Sequence, residues 1–209
     1  MIKKVEVVDH PLVTDGLAHL RDKKTETVKF RYYSDKVCQL LFAEAIRGLM
    51  FRRETIETPC GEMEVQKLAD RIVVVPVLRS GIAMLAGATW LLPKVEVGFV
   101  GMERDEVTAV AREYYWKMPK IDTETVVMVT DPMLATGGSL LHLLRRVKES
   151  TPKLIKAVCV VAAPEGIEAV HKEFPNVEII TAAVDERLNE KKYIVPGIGD
   201  YGDRYFGTE

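Results

Sequence analysis

VVMVTDPMLATGGSLLHLLRRV, residues Val126 to Val147, changes its hydrophobic period halfway along. Thr125–Thr130 is an unbroken, largely β-branched run of the kind that fills a buried strand. It ends on a single acid, Asp131, followed by a turn of small residues, Ala135-Thr136-Gly137-Gly138-Ser139. From Gly138 the period becomes helical, with Leu140, Leu143, Leu144 and Val147 on one face, which predicts a helix over Gly138–Lys148. A buried strand that delivers a carboxylate and then a glycine turn into a helix N-terminus is built to hold a phosphate.

The flanking sequence repeats this alternation. Residues 12–21 and 25–53 read as helices, and Glu54–Thr58 with Glu62–Leu68 bracket a hairpin turn at Pro59-Cys60-Gly61. Then come a strand (Ile72–Leu78), an apolar helix (Gly81–Leu92) stopped by Pro93, and a strand (Val95–Met102). Beyond the opening motif follow a strand (Ile155–Ala162), a helix (Glu165–Glu173) and a strand (Val177–Ala183). Continuous β-branched strands separated by helices predict an α/β fold with a mostly parallel central sheet covered on both faces. Ligands of such sheets bind at the carboxyl ends of strands, where Asp131 and the loop after Leu78 fall.

At 209 residues the chain is expected to be one domain, with no linker, repeat or low-complexity segment. A net charge of −2 gives no basic face for nucleic acid, and no apolar run is long enough to span a bilayer. The N-terminus carries no apolar signal region, and three cysteines without a CxxC pair fit reduced thiols, so a cytoplasmic setting is expected. Cys38 and Cys159 sit in apolar patterns and read as core; the four histidines have no metal-ligand spacing.

Four stretches carry chemistry, each with a plainer alternative. Thr136 to Ser139 lacks a P-loop lysine, yet its glycines let several N–H groups converge on one anion and its hydroxyls add donors. Asp131 repels a phosphate but accepts hydrogen bonds from a sugar diol, so acid and turn together suit a sugar phosphate; otherwise Asp131 only caps the helix. Val77-Leu78-Arg79-Ser80-Gly81 places an arginine fork at a strand end, suited to phosphate oxygens or to a surface ion pair. Gly101 to Glu106 contains Arg104 and leads into Glu106–Lys117, which fits no clear strand or helix and reads as a lid loop or as an exposed hairpin. Finally, Gly197, Gly199 and Gly202 match GxGxxG, but too little chain lies beyond them for a dinucleotide fold. That segment instead exposes backbone groups suited to the edge of a planar heterocycle.

Taken in order, HPLV, VVPVLRSG, VGMERDE, DPMLATGGS, VAAPEG, YIVPGIGDYGD and the closing FGT resemble the uracil phosphoribosyltransferases of the type I phosphoribosyltransferase superfamily, over nearly the whole chain. The resemblance implies transfer of 5-phosphoribose from phosphoribosyl diphosphate to uracil, giving UMP and diphosphate in pyrimidine salvage, with Mg2+ carried by the diphosphate substrate. It implies a sheet core over about 70–183, N-terminal helices and a hairpin arm over 1–69, and a base-binding hood over 184–209. The phosphoribosyl diphosphate site would comprise Arg79, Arg104, the run Asp131, Pro132, Met133, Leu134, Ala135, Thr136, Gly137, Gly138 and Ser139, and Asp200. The uracil site would comprise Ile194, Gly199, Asp200 and Tyr201. Asp131, Arg104 and Asp200 would act in the reaction itself, with no protein metal site. Relatives often carry a non-proline cis peptide in the loop that holds Arg79.

The chain departs from the pattern in three places. Pro132 stands where the broader superfamily has a second acid, as is typical of the uracil branch. Ser80 replaces a commoner alanine, and so does Tyr201, whose phenol needs a place to go. A homodimer or larger homo-oligomer is expected from exposed-looking Tyr32, Tyr33, Phe42 and Phe51 on the N-terminal segment. GTP, which activates some relatives, is an effector the resemblance allows. A non-catalytic, RNA-binding regulator on the same fold would need a basic face and an altered base segment, and this chain has neither.

Overall fold

A computed structural model of the chain describes residues 5–104 and 111–208. The N-terminal part contains β1 (Val5–Val7), α1 (Pro11–Arg21), α2 (Thr27–Ala45) and a hairpin of β2 (Phe51–Thr58) and β3 (Gly61–Leu68). The centre runs β4 (Arg71–Leu78), α3 (Ile82–Leu91), β5 (Glu96–Val97), β6 (Phe99–Arg104), β7 (Ala111–Lys117) and β8 (Thr125–Thr130). Next come β9 (Met133–Leu134), α4 (Gly138–Glu149), β10 (Leu154–Ala162), α5 (Pro164–Glu173) and β11 (Glu178–Val184). The chain closes with β12 (Arg187–Leu188), β13 (Ile194–Val195) and α6 (Tyr201–Phe206).

Among the described residues the main sheet has the order β1-β11-β10-β8-β4-β6-β7, with β5 beside β4 and β9 beside β10. Every pairing along it is parallel except β6 with β7. This is the mostly parallel α/β sheet that the strand composition predicts. Side chains of successive strand residues leave on opposite faces. Val74, Val126, Met128, Val158 and Val160 therefore pack into one core layer with α1, α2 and α3. Val73, Val75, Val127, Val129, Ala157 and Cys159 pack into the other, with Leu143, Leu144 and Val147 of α4 and Val170 of α5. Lys156 and Asp185 are buried charges, and each is paired: Lys156 with Glu178 at 2.8 Å, and Asp185 with Arg21 at 2.6 Å. Burying them without partners would be prohibitive.

Four expectations need correction. The second helix does not run to residue 53: α2 stops at Ala45, and the chain turns at Gly48 with φ +76°. Asp70 then accepts the Met50 N–H at 2.7 Å and starts β2 at Phe51. Left-handed backbone at Gly48 ends a helix, and the apolar periodicity continuing beyond it belongs to the strand. The stretch Glu106–Lys117 is not structureless, because Ala111–Lys117 pairs antiparallel with β6. The hairpin alternative holds over Ala111–Lys117, and the remainder of the expected lid, Glu106 to Val110, lies outside the described residues. Phe42 is not an exposed interface residue but fully buried core, and Tyr33 is half-buried and stacked on His19 at 3.9 Å; Tyr32 and Phe51 are exposed. The single expected strand Val95–Met102 is broken into β5 and β6 at Gly98. Short runs gave no periodic signal for β1, β9, β12, β13 and α6.

Candidate active site

The carboxyl ends of β8 and β4 lie side by side, with Thr130 in register with Pro76. Asp131 and the loop 79–81 therefore emerge together. Gly81 is fixed by this closeness: a Cβ there would stand 2.5 Å from Thr130 O and 2.6 Å from Val77 O. Beside it the Leu78–Arg79 peptide is cis, as the resemblance implies. Ser80 Oγ donates to Asp131 Oδ1 at 3.4 Å, and the Met133 N–H reaches the same oxygen at 3.4 Å.

After Asp131 the chain makes two ladder residues, β9, before it turns. Pro132 and Leu134 are buried, and the Pro132 carbonyl accepts from Val160 and Val161, each at 3.0 Å. These two residues carry the run through the core and leave the anion to the glycine turn beyond them. Gly137, not Asp131, is the N-cap of α4, with φ +79°. This left-handed conformation disfavours any residue with a Cβ. The first helical bond of α4 comes from Leu141 N to Gly137 O at 2.8 Å. The N–H groups of Gly138, Ser139 and Leu140 thus precede the ladder, where a helix presents donors to an anion. Asp131 and residues 133–140 line a small cup of about 40 Å³.

The cup opens into a cavity of about 270 Å³ that Asp131, Met133 and Ala135 also line. Its opposite wall is the C-terminal segment: Ile194, Gly199, Asp200 and Tyr201. Asp131, Met133 and Ala135 therefore share one space with the predicted base residues, whereas Leu134 and Thr136 to Ser139 line the cup and not the cavity, and Arg79 lines neither. Asp200 caps α6, its Oδ1 accepting from Asp203 N at 2.9 Å. Tyr201 turns its backbone to the cavity and its phenol away from it. The phenol is buried, donates to Ser34 Oγ at 2.7 Å, and meets Phe30 edge-on with ring centroids 5.0 Å apart. Burial pushes its pKa well above the ordinary tyrosine value. The side chain that replaces alanine is thus a strut to α2.

That wall is held from a distance. Arg21 donates to both carboxylate oxygens of Asp185, at 2.8 and 2.6 Å, and to Gly197 O at 2.9 Å. Asp185 in turn accepts the Gly197 N–H at 2.8 Å. Arg204 donates to Ile198 O at 2.8 Å and to Asp22 O at 2.7 Å, and lies 4.5 Å over the Phe30 ring.

Arg79 lies on the same side of the sheet, its Nη2 2.9 Å from Asp203 Oδ1. Arg104 is the last residue of β6, beside β4, and its backbone pairs with Ala111; its side chain lies outside the described residues. Sequence reasoning missed Lys191, Lys192 and Tyr193, which line the cavity. Lys192 has φ +65°, a conformation that favours glycine, so nothing in its identity announces the turn it makes.

An open α/β sheet with a strand–acid–glycine-turn–helix unit facing a C-terminal wall across one cavity is the architecture of a type I phosphoribosyltransferase. A family model of uracil phosphoribosyltransferase matches residues 7–208, and the chain belongs to that family. It is 47% identical over 207 residues to the uracil phosphoribosyltransferase of Shouchella clausii, covering 99% of each chain. The solved AQ2163 protein of Aquifex aeolicus superposes with a TM-score of 0.93 at 36% identity, over 98% of this chain and 99% of that one. The adenine phosphoribosyltransferase of Trypanosoma brucei shares the fold, with a TM-score of 0.60 at 11% identity over 92% of this chain and 88% of that one.

Proposed function

We propose that the cavity between the phosphate cup and the C-terminal wall is where 5-phosphoribose passes from phosphoribosyl diphosphate to uracil, giving UMP and diphosphate. The observation that carries this reading is the placement of Asp131 between the cup at 136–139 and the wall at 194–201. The 5′-phosphate sits on the first-turn N–H groups of α4 and the hydroxyls of Thr136 and Ser139. Hydrogen bonds to a charged group contribute about 1.5–3 kcal/mol each, so a few suffice to fix it. Asp131 accepts from the ribose hydroxyls, and Arg79 and Arg104 take the diphosphate. Backbone groups of Gly199 to Tyr201 read the C=O, N–H, C=O edge of uracil. A site of fixed polar partners rejects a mismatched base by roughly 10⁴.

The bond from the anomeric carbon to the diphosphate oxygen breaks, the oxygen keeping the electron pair, while uracil N1 bonds to that carbon and loses its proton. The reaction needs positioning and stabilisation of charge gathering on the diphosphate. Arg79 and Arg104 supply that stabilisation as opposite charge, and Asp200 lies on the base side, where the N1 proton leaves. Mg2+ would be carried by the diphosphate of the substrate, and Asp131 and Asp200 are the carboxylates of the cavity that would lie near such an ion beside substrate oxygens and waters. When bound, the ion neutralises diphosphate charge. One domain over 1–209, a homo-oligomer, a GTP effector and a cytoplasmic setting complete the reading.

Asp131→Asn tests it, because the amide keeps the shape and loses the charged acceptor. UMP formation from radiolabelled uracil should fall about 10²-fold at saturating substrates. An unchanged rate removes Asp131 from the ribose. Hypoxanthine, orotate and cytosine in the same assay should give no nucleotide; turnover of any of them in place of uracil reassigns the base.

A further inference from the structure

Asp203 touches both halves of the site. Its Oδ1 accepts from Arg79 Nη2 at 2.9 Å and from the Thr208 hydroxyl at 2.6 Å, while its N–H donates to Asp200 Oδ1 at 2.9 Å. Arg79 Nη1 lies 3.4 Å from Thr208 Oγ1. The end of the guanidinium that carries both Nη atoms is thus seated on Asp203 and Thr208. Nε–H, on the remaining edge, makes no hydrogen bond among the described residues. The same turn is packed onto the loop: a Cβ at Gly202 would lie 3.6 Å from Ser80 Cβ, and Ser80 in turn donates to Asp131.

We propose that Asp203 is the positioning residue for Arg79, holding the guanidinium end-on so that its remaining edge faces the diphosphate of the substrate. This rests on the reading of Arg79 as a diphosphate ligand. Arginine binds phosphate oxygens best in parallel pairs from a fixed fork, and an arginine on a strand-end loop has many rotamers to choose from. Seating one edge on a carboxylate leaves the other in a single orientation. Asp203 is itself oriented twice, by Thr208 and by its place in the α6 cap. The carboxylate is well suited to stay ionised, since the hydrogen bonds from Thr208 first and Arg79 second hold its pKa below the ordinary value. Because the cap acceptor is Asp200, the element that carries the base-site residues also sets the diphosphate ligand. Movement of α6 away from the cavity would release both.

The test is steady-state kinetics of the full chain with Arg79→Ala, Asp203→Asn, Thr208→Val and the Arg79→Ala/Asp203→Asn double variant. Asp203→Asn should raise KM for phosphoribosyl diphosphate about tenfold, with kcat and KM for uracil within about twofold, the pattern of lost substrate binding. Thr208→Val should raise the same KM about threefold, and it decides the matter if Asp203→Asn does not fold. In the Arg79→Ala background Asp203→Asn should add nothing, since a positioning residue has no effect without the group it positions. An unchanged or lowered KM in Asp203→Asn overturns the proposal, the lowered value because Asp203 would then be competing with substrate for Arg79. Independent, multiplying effects in the double variant overturn it as well. If Arg79→Ala alone leaves KM for phosphoribosyl diphosphate unchanged, the assignment of Arg79 fails and the proposal fails with it. The single variants thus separate the two failures.

Discussion

The two walls of the cavity are built by opposite strategies. The wall proposed to take the phosphate, Asp131 to Leu140, lies within one strand–turn–helix unit, and the donors it presents are backbone N–H groups of adjacent residues. The base wall, Ile194 to Tyr201, has little secondary structure of its own and is tied down by residues some 170 positions away. Arg21 reaches Asp185 and Gly197, and Ser34 reaches Tyr201. On the proposed reading, an anion that every substrate brings would be met by geometry the local chain enforces. Discrimination among bases would be left to a segment whose shape depends on the packing of the N-terminal helices. Backbone geometry tolerates change in everything except its glycines, whereas a tertiary clamp fails wherever a side chain is removed.

The sharpest way to break this contrast is to damage each wall by its own weakness. Asp185→Ala leaves Arg21 with Gly197 O but without its carboxylate, and Gly197 N–H without its acceptor in a buried place. Breaking such a pair costs about 3–5 kcal/mol, or a fall in Tm of roughly 10 °C for a chain of this size. Uracil KM should rise far more than the KM for phosphoribosyl diphosphate. Gly137→Ala puts a Cβ on a residue with φ +79° and 3.2 Å from Gly166 O. It should cost about 1–2 kcal/mol and raise chiefly the KM for phosphoribosyl diphosphate. Kinetics of both variants, with melting curves, check the pair. If the two raise the same KM, the walls are not separable.

The same contrast explains which parts of the molecule could be read from sequence. The strand–Asp131–glycine-turn–helix unit is legible because its signals, a buried run, a lone acid, two glycines and a helical stripe, are contiguous. The parallel sheet is legible for the same reason. The fate of the Tyr201 phenol is not, because its partner Ser34 lies on α2 and neither residue signals the other. Phe42 misled because a periodic aromatic on a long helix looks the same facing a core or a partner. Arg21 and Asp185 carry no motif, yet they pin the wall that reads the base. Asp203 lies within the familiar closing segment, but only the fold shows that it meets Arg79.

A smaller effect sharpens the link between Tyr201 and α2. The phenol is buried and its pKa is raised, by burial above all. Its contribution to stability is therefore complete below the unfolded value near 10 and is lost as pH rises beyond it, because only the unfolded chain then ionises freely. Tyr201→Phe has no proton to lose. At pH 7 it should be less stable by about 1 kcal/mol, since the buried Ser34 hydroxyl loses its partner. Above pH 10 the wild-type chain should lose stability more steeply than the variant, by up to roughly 1.4 kcal/mol per pH unit, so the two curves converge. Denaturant melts from pH 7 to 11 give both slopes; parallel curves would place the phenol in water.

The smallest effect compares the two walls without altering either. A buried thiol stands behind each. Cys38 lies on α2 one helical turn beyond Ser34, behind the base wall, and Cys159 lies on β10 behind Asp131. Burial pushes both up to about 12, so at neutral pH neither is thiolate and neither reacts while the fold is closed. Cys60, exposed at the hairpin turn, should be the single thiol that a disulfide reagent modifies in the native chain. In a Cys60→Ser variant, labelling then reports local opening, and the regions held by fewer buried contacts open first. β10 is central in the sheet, flanked by β8 and β11. The N-terminal helices that carry the clamp lie outside it, on one face. Cys38 should therefore be labelled before Cys159 as urea is raised below the main transition, by about tenfold in rate. Mass spectrometry of the labelled peptides reads the order, and Asp185→Ala should widen the gap by speeding Cys38 alone. Labelling of the two thiols at one rate would mean that both walls belong to one cooperative unit, and that the clamp, though built from distant residues, is as firm as the sheet it closes.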